Sequence, residues 1–126
     1  MNDGQHQSGD VDDVLDPRVI QELRELGGED DPDLLADLVQ MFLQDAPGRM
    51  KQIEEALASG DIKALEHAAH TLKSSSANIG ARGLSAICKR MEELARAKST
   101  DGMSELFSAS IGEYGDVATA LRSLEA

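Results

Sequence analysis

Tryptophan is absent from this 126-residue chain, and tyrosine and phenylalanine occur only once and twice. Strands lean on β-branched and aromatic side chains, so this scarcity disfavours a sheet and leaves Leu, Ile, Val, Met and Ala to build a helical core. Cysteine occurs once, at Cys88, which excludes an internal disulfide. Its place in an apolar helical stripe predicts a buried structural thiol rather than a nucleophile. Basic residues are outnumbered by acidic ones, 12 against 24, and the resulting net charge of −12 would repel a nucleic-acid backbone. No apolar run reaches the length of a membrane span, and the stretch MNDGQHQSGD has neither the basic start nor the apolar run of a signal peptide. These absences predict a soluble, cytoplasmic protein without nucleic-acid partners or membrane insertion.

What is present fits one domain with a single core. Residues 1–15 are rich in Asp, Gly and Gln with little to bury, so they read as a disordered acidic tail or linker, and residues 16–126 as the folded domain. Asp16-Pro17 is a helix-start pair, with Asp as N-cap and Pro in the first turn, and Gly27-Gly28 ends that short helix. Asp31-Pro32 repeats the signal, and Leu35, Leu38, Val39, Phe42 and Leu43 follow at helical spacing until Pro47, which predicts a kink or break near Ala46. Asp61 opens a helix whose apolar positions Ile62, Leu65, Ala69, Leu72, Ser76 and Ile79 fall at spacings of 3, 4, 3, 4 and 3, ending at Gly80. Leu84, Ile87, Cys88, Met91, Leu94 and Ala95 mark another helix, and Leu106, Ile111, Val117, Leu121 and Leu124 a last one that contains Gly112 and Gly115. The pattern is all-α: an up-and-down antiparallel four-helix bundle with one or two additional short N-terminal helices.

One stretch is polar in a way that a solvated helix face does not explain: His67 to Gly80, HAAHTLKSSSANIG. At about 100° per residue, His70 lies roughly 130° from the mean direction of the core stripe, so its ring is expected at the surface. Ala77 lies about 20° from His70, Ser74 about 40°, and Lys73 about 60° to the other side. An imidazole ringed by small side chains is open to another protein's active site. Neutral imidazole is a good nucleophile near neutral pH, and Lys73 offers a point charge to balance an incoming phosphoryl group. His67 sits nearly opposite the core stripe and reads as an ordinary surface residue.

The run from Ala69 to Ala81, AHTLKSSSANIGA, resembles the signature of the histidine-containing phosphotransfer (HPt) family: a His, a Lys three residues on, a small residue next, and Gly ten residues after the His. Upstream, Met41-Phe42-Leu43-Gln44-Asp45-Ala46-Pro47 and Ser59-Gly60-Asp61 are similar to the helix and turn that precede the motif, so the resemblance covers most of residues 16–124. It implies a phosphoryl carrier of multistep phosphorelays without autokinase or phosphatase activity. His70 would accept phosphate on its distal nitrogen from a receiver-domain aspartate, and Lys73 would steady the phosphoryl oxygens. Receiver domains of response regulators or hybrid histidine kinases would be the partners, docking on Ala69, Ser74, Ala77 and Gly80. The chain would be a monomer with no cofactor, Mg²⁺ belonging to the receiver. Position 74 departs from the pattern, with Ser where the family most often has Gly.

Two other readings have less behind them. A metal site from Glu66, His67 and His70 lacks the Glu-x-x-His spacing of di-metal bundles. An independent enzyme would need a phosphate loop, a nucleophile elbow or a zinc helix motif, and the sequence offers none. The alternative to a carrier is a helical module that docks a receiver without accepting phosphate.

Overall fold

Asp16, Asp61 and the glycines after the first three amphipathic runs, Gly28, Gly60 and Gly80, divide the chain into helices, and a computed structural model describes them over residues 14–124. The helices are α1 (Pro17–Gly27), α2 (Leu34–Ser59), α3 (Ile62–Asn78), α4 (Arg82–Arg96) and α5 (Met103–Leu124). The four longer ones form an up-and-down bundle in which α2 packs on α3, α3 on α4, α4 on α5 and α5 back on α2, while α1 lies against α2. Aliphatic side chains fill the interior: Leu15, Ile53, Leu65, Leu72, Leu84, Met91, Met103 and Leu121 are fully buried. Phe42 and Tyr114 pack together at one seam between α2 and α5, with ring centroids 6.1 Å apart. Burial of the Cys88 thiol pushes it up to about 12, as befits a side chain that only packs.

Local sequence explains the caps. The Asp16 side chain accepts from the backbone N–H of Arg18 at 3.0 Å, and Asp61 accepts from that of Ala64 at 3.0 Å. The second start signal misleads. Asp31 and Pro32 belong to a turn, closed by the Leu34 N–H on the Asp31 carbonyl at 3.1 Å, and α2 begins with Asp33 as its N-cap residue. Nor does Pro47 break α2, which continues as helix to Ser59. Pro47 itself is exposed, on the solvent side of the helix. Meanwhile Phe42, Ala46, Met50 and Ile53 keep burying one continuous stripe across it.

Three other expectations are corrected. Val14 and Leu15, assigned to an acidic tail, are core residues, because two apolar side chains just before the α1 cap suffice to anchor the chain. Residues 1–13, the rest of that expected tail, lie outside the described residues, as do 125 and 126. Ile62 is only partly buried at the start of α3, where the helix end is open to solvent. Ile111 is exposed; the buried stripe of α5 runs instead through Met103, Ser110, Val117 and Leu121, with Phe107 and Tyr114 half-buried between them. Helix α5 runs unbroken through Gly112 and Gly115.

Gly80 joins the two ends of the domain's N-terminal half. Its φ of +83° is a left-handed conformation, and its carbonyl accepts the N–H of Asp16 at 2.8 Å, tying the start of α1 to the end of α3. A Cβ there would sit 3.2 Å from the Cβ of Val19 and 3.4 Å from the Asp16 backbone. Gly80→Ala is therefore expected to destabilise the fold by about 1–3 kcal/mol and to lower the melting temperature by roughly 3–10 °C, read by circular dichroism. An unchanged melting temperature would show that this junction contributes nothing.

Candidate functional site

The polar positions of α3 and α4 meet along one seam. Ser85 of α4 donates its hydroxyl to the carbonyl of Lys73 at 3.1 Å, which fixes the register of the two helices. In that register a carboxylate from α4, Glu92, comes under His70. Only 3% of the Glu92 side chain is exposed, against 55% of the His70 ring. His70 Nδ1 lies 2.7 Å from Glu92 Oε2, and Lys73 Nζ donates to Oε1 at 2.6 Å. Arg96, one turn after Glu92, donates through Nη2 to Oε2 at 2.7 Å and through Nε to Glu66 Oε2 at 3.1 Å.

Charge state follows from these contacts. Burial raises the Glu92 carboxyl, but the hydrogen bonds and charges of Lys73 and His70 outweigh that effect and hold it below the ordinary carboxylate value, so Glu92 is ionised at neutral pH. An ionised carboxylate only accepts, so the proton in the 2.7 Å contact sits on His70 Nδ1. In the neutral ring this fixes the tautomer: Nε2, across the ring, keeps the free lone pair. The hydrogen bond to Glu66, together with the charge of Glu92, raises Arg96 above its ordinary value.

His70 and Lys73 thus come together as the sequence predicts, but Lys73 is engaged with Glu92 rather than left as a free point charge. Ser74 and Ala77 are exposed beside His70. Ala69 and Gly80 do not belong with them: Ala69 is fully buried because it lies in the core stripe of α3, and Gly80 is buried in the junction with α1. Their assignment to a docking surface is corrected. Beyond Ala77, a groove between α1, α2 and α3 is lined by Leu23, Leu38, Met41, Ser75 and Asn78, and Met41 is largely exposed there. His67 is exposed, and among the described residues no three His, Cys, Asp or Glu side chains are placed to hold a metal ion.

Glu92 and Arg96 are the site residues that sequence reasoning missed. One signal was available: Glu92 falls four residues after Cys88 and three before Ala95, inside the apolar stripe of α4, where a charge needs a partner.

Comparison with known proteins agrees with the helical-bundle fold. The family model described as Hpt domain matches residues 37–126. The crystal structure of histidine-containing phosphotransfer protein B from Pseudomonas aeruginosa PAO1 superposes with a TM-score of 0.80 at 33% identity, over 87% of this chain and 92% of that one. The Arabidopsis thaliana histidine-containing phosphotransfer protein 5 is 28% identical over 108 residues, 83% of this chain and 69% of that protein. Multistep phosphorelay regulator 1 of Schizosaccharomyces pombe is 28% identical over 98 residues, and the match spans 78% of this chain but only 33% of the regulator. With its exposed, carboxylate-anchored histidine on a helical bundle and a family match over most of its length, the chain belongs to the Hpt domain family.

Proposed function

We propose that this chain is a phosphoryl carrier of a multistep phosphorelay, in which His70 takes phosphate from an aspartyl phosphate of one receiver domain and passes it to an aspartate of another. The observation that carries this reading is the pairing of a half-exposed imidazole with a buried carboxylate on Nδ1, which leaves Nε2 as the nucleophile. As the Nε2–P bond forms, the P–O bond to the receiver's aspartate breaks and its electron pair leaves with the carboxylate. The ring still holds its Nδ1 proton and so becomes a cation, balanced by Glu92 directly behind it. Onward transfer reverses these events, with neutral imidazole leaving, so the phosphoryl group stays transferable rather than locked.

Mg²⁺ and the acidic pocket that binds it are assigned to the receiver, and the carrier is read as a cytoplasmic monomer without autokinase or phosphatase activity. Among the described residues no helix is long and apolar enough to cross a membrane. The test is incubation with a phosphorylated receiver domain. A label that is stable in base, lost in acid and mapped to His70 supports the reading. A docked receiver without label would favour a pure interaction module.

In this reading the receiver docks over Ser74 and Ala77, the small exposed residues beside His70, and on toward the groove at Met41, a placement supported by their exposure. Ala77→Arg adds bulk and charge about 20° from the His70 direction without touching the core. Transfer should fall by about tenfold or more while the circular dichroism spectrum holds. Wild-type transfer by this variant would put the receiver on another side of His70.

A further inference from the structure

Building on His70 as the acceptor, we infer that Arg96 and Glu66 form an opposed pair of positioning residues that set how readily Nε2 of His70 offers its lone pair. Lys73 and Arg96 contribute two positive charges and Glu92 and Glu66 two negative ones, so the cluster is neutral when the imidazole is neutral. Among the described residues, the ion pairs made by Glu66, His70, Lys73, Glu92 and Arg96 are all with one another. Lys89, Arg90 and Glu93 on α4 and His67 on α3 are exposed nearby in sequence.

Arg96 donates to the same carboxylate oxygen as His70 Nδ1, at 2.7 Å in each case. Removing its charge leaves an excess negative charge under the ring, which favours imidazolium, the form with no lone pair on Nε2. Glu66 holds the other edge of Arg96, and losing its charge has the opposite effect. A unit charge two or three hydrogen bonds away, near a protein surface, is enough to change the protonated fraction severalfold.

The test uses diethyl pyrocarbonate, which acylates imidazole only through a free lone pair, with mass spectrometry reporting the rate on the His70 peptide at about pH 6 and pH 8. Arg96→Gln keeps a hydrogen-bond donor but loses the charge, and should lower the ratio of the two rates by about threefold. Glu66→Gln should raise it by about threefold, and Arg96→Lys should match the wild type. Opposite shifts are the signature, since a purely structural loosening would move both variants the same way. Superimposable ratios, or shifts of one sign, overturn the inference. If circular dichroism shows Arg96→Gln unfolded, the rise or its absence in Glu66→Gln decides alone. Neither result touches His70 as acceptor, which the receiver labelling tests separately.

Discussion

His70→Gln is expected to accept no phosphoryl group from a phosphorylated receiver while folding like the wild type. The ring is half-exposed on α3 and contributes nothing to the core, so the loss should be confined to chemistry. Glutamine is the informative replacement because its amide can still donate to Glu92, so the buried carboxylate keeps a third partner. The melting temperature should stay within about 4 °C of the wild type. His67→Gln is the matched control, another exposed histidine one turn earlier, and should be labelled normally. Base-stable, acid-labile label on His70→Gln would place the acceptor elsewhere.

Replacing Glu92 should be nearly as severe, by a different route. Glu92→Ala removes the acceptor for His70, Lys73 and Arg96 together. The imidazole then loses both its fixed tautomer and its orientation, and the phosphorylated ring loses its counter-charge. The rate of acceptance should fall by about 100-fold. Lys73 and Arg96 are left as like charges with no carboxylate between them, although both can turn to solvent. A loss of about 1–2 kcal/mol of stability is expected, below the usual cost of breaking a fully buried pair.

The pH dependence of that loss has a definite sign. Because the folded-state Glu92 carboxyl is held below its ordinary value of 4.5, its contribution is full above that value and disappears as pH falls through the lower, folded one. Urea unfolding of wild type and Glu92→Ala should therefore differ at pH 7 and converge in acid. A gap that widened in acid would mean that Glu92 is neutral in the fold.

The parts legible in the sequence were those encoded within one helix. Asp16 and Asp61 mark starts because an N-cap acts within three residues, and His70 could be placed at the surface because the stripe of Leu65, Ala69 and Leu72 fixes the rotation of α3. Ala69 shows the limit of that reading, since its place in the stripe already forbade the surface role given to it. Asp31-Pro32 and Pro47 carry the right local chemistry, yet tertiary burial of Phe42, Ala46 and Met50 decided what α2 does there. What Glu92 and Arg96 would touch was out of reach for another reason. Their contacts with His70 and Glu66 span 22 and 30 residues and depend on the register of α3 against α4, which no local pattern specifies.

Among the described residues, the side chains that meet around His70 come from the bodies of two packed helices, with no turn contributing. A partner that arrives meets a surface already in its reactive arrangement, so encounter need not order a loop or close a lid, and little conformational entropy is lost on contact. Much of the binding energy that a mobile site would consume in folding around its guest is not required here. The complex can therefore be short-lived without becoming unproductive. For a carrier of the kind proposed, which would have to release one receiver before serving the next, a preformed site is what makes weak, fast exchange sufficient.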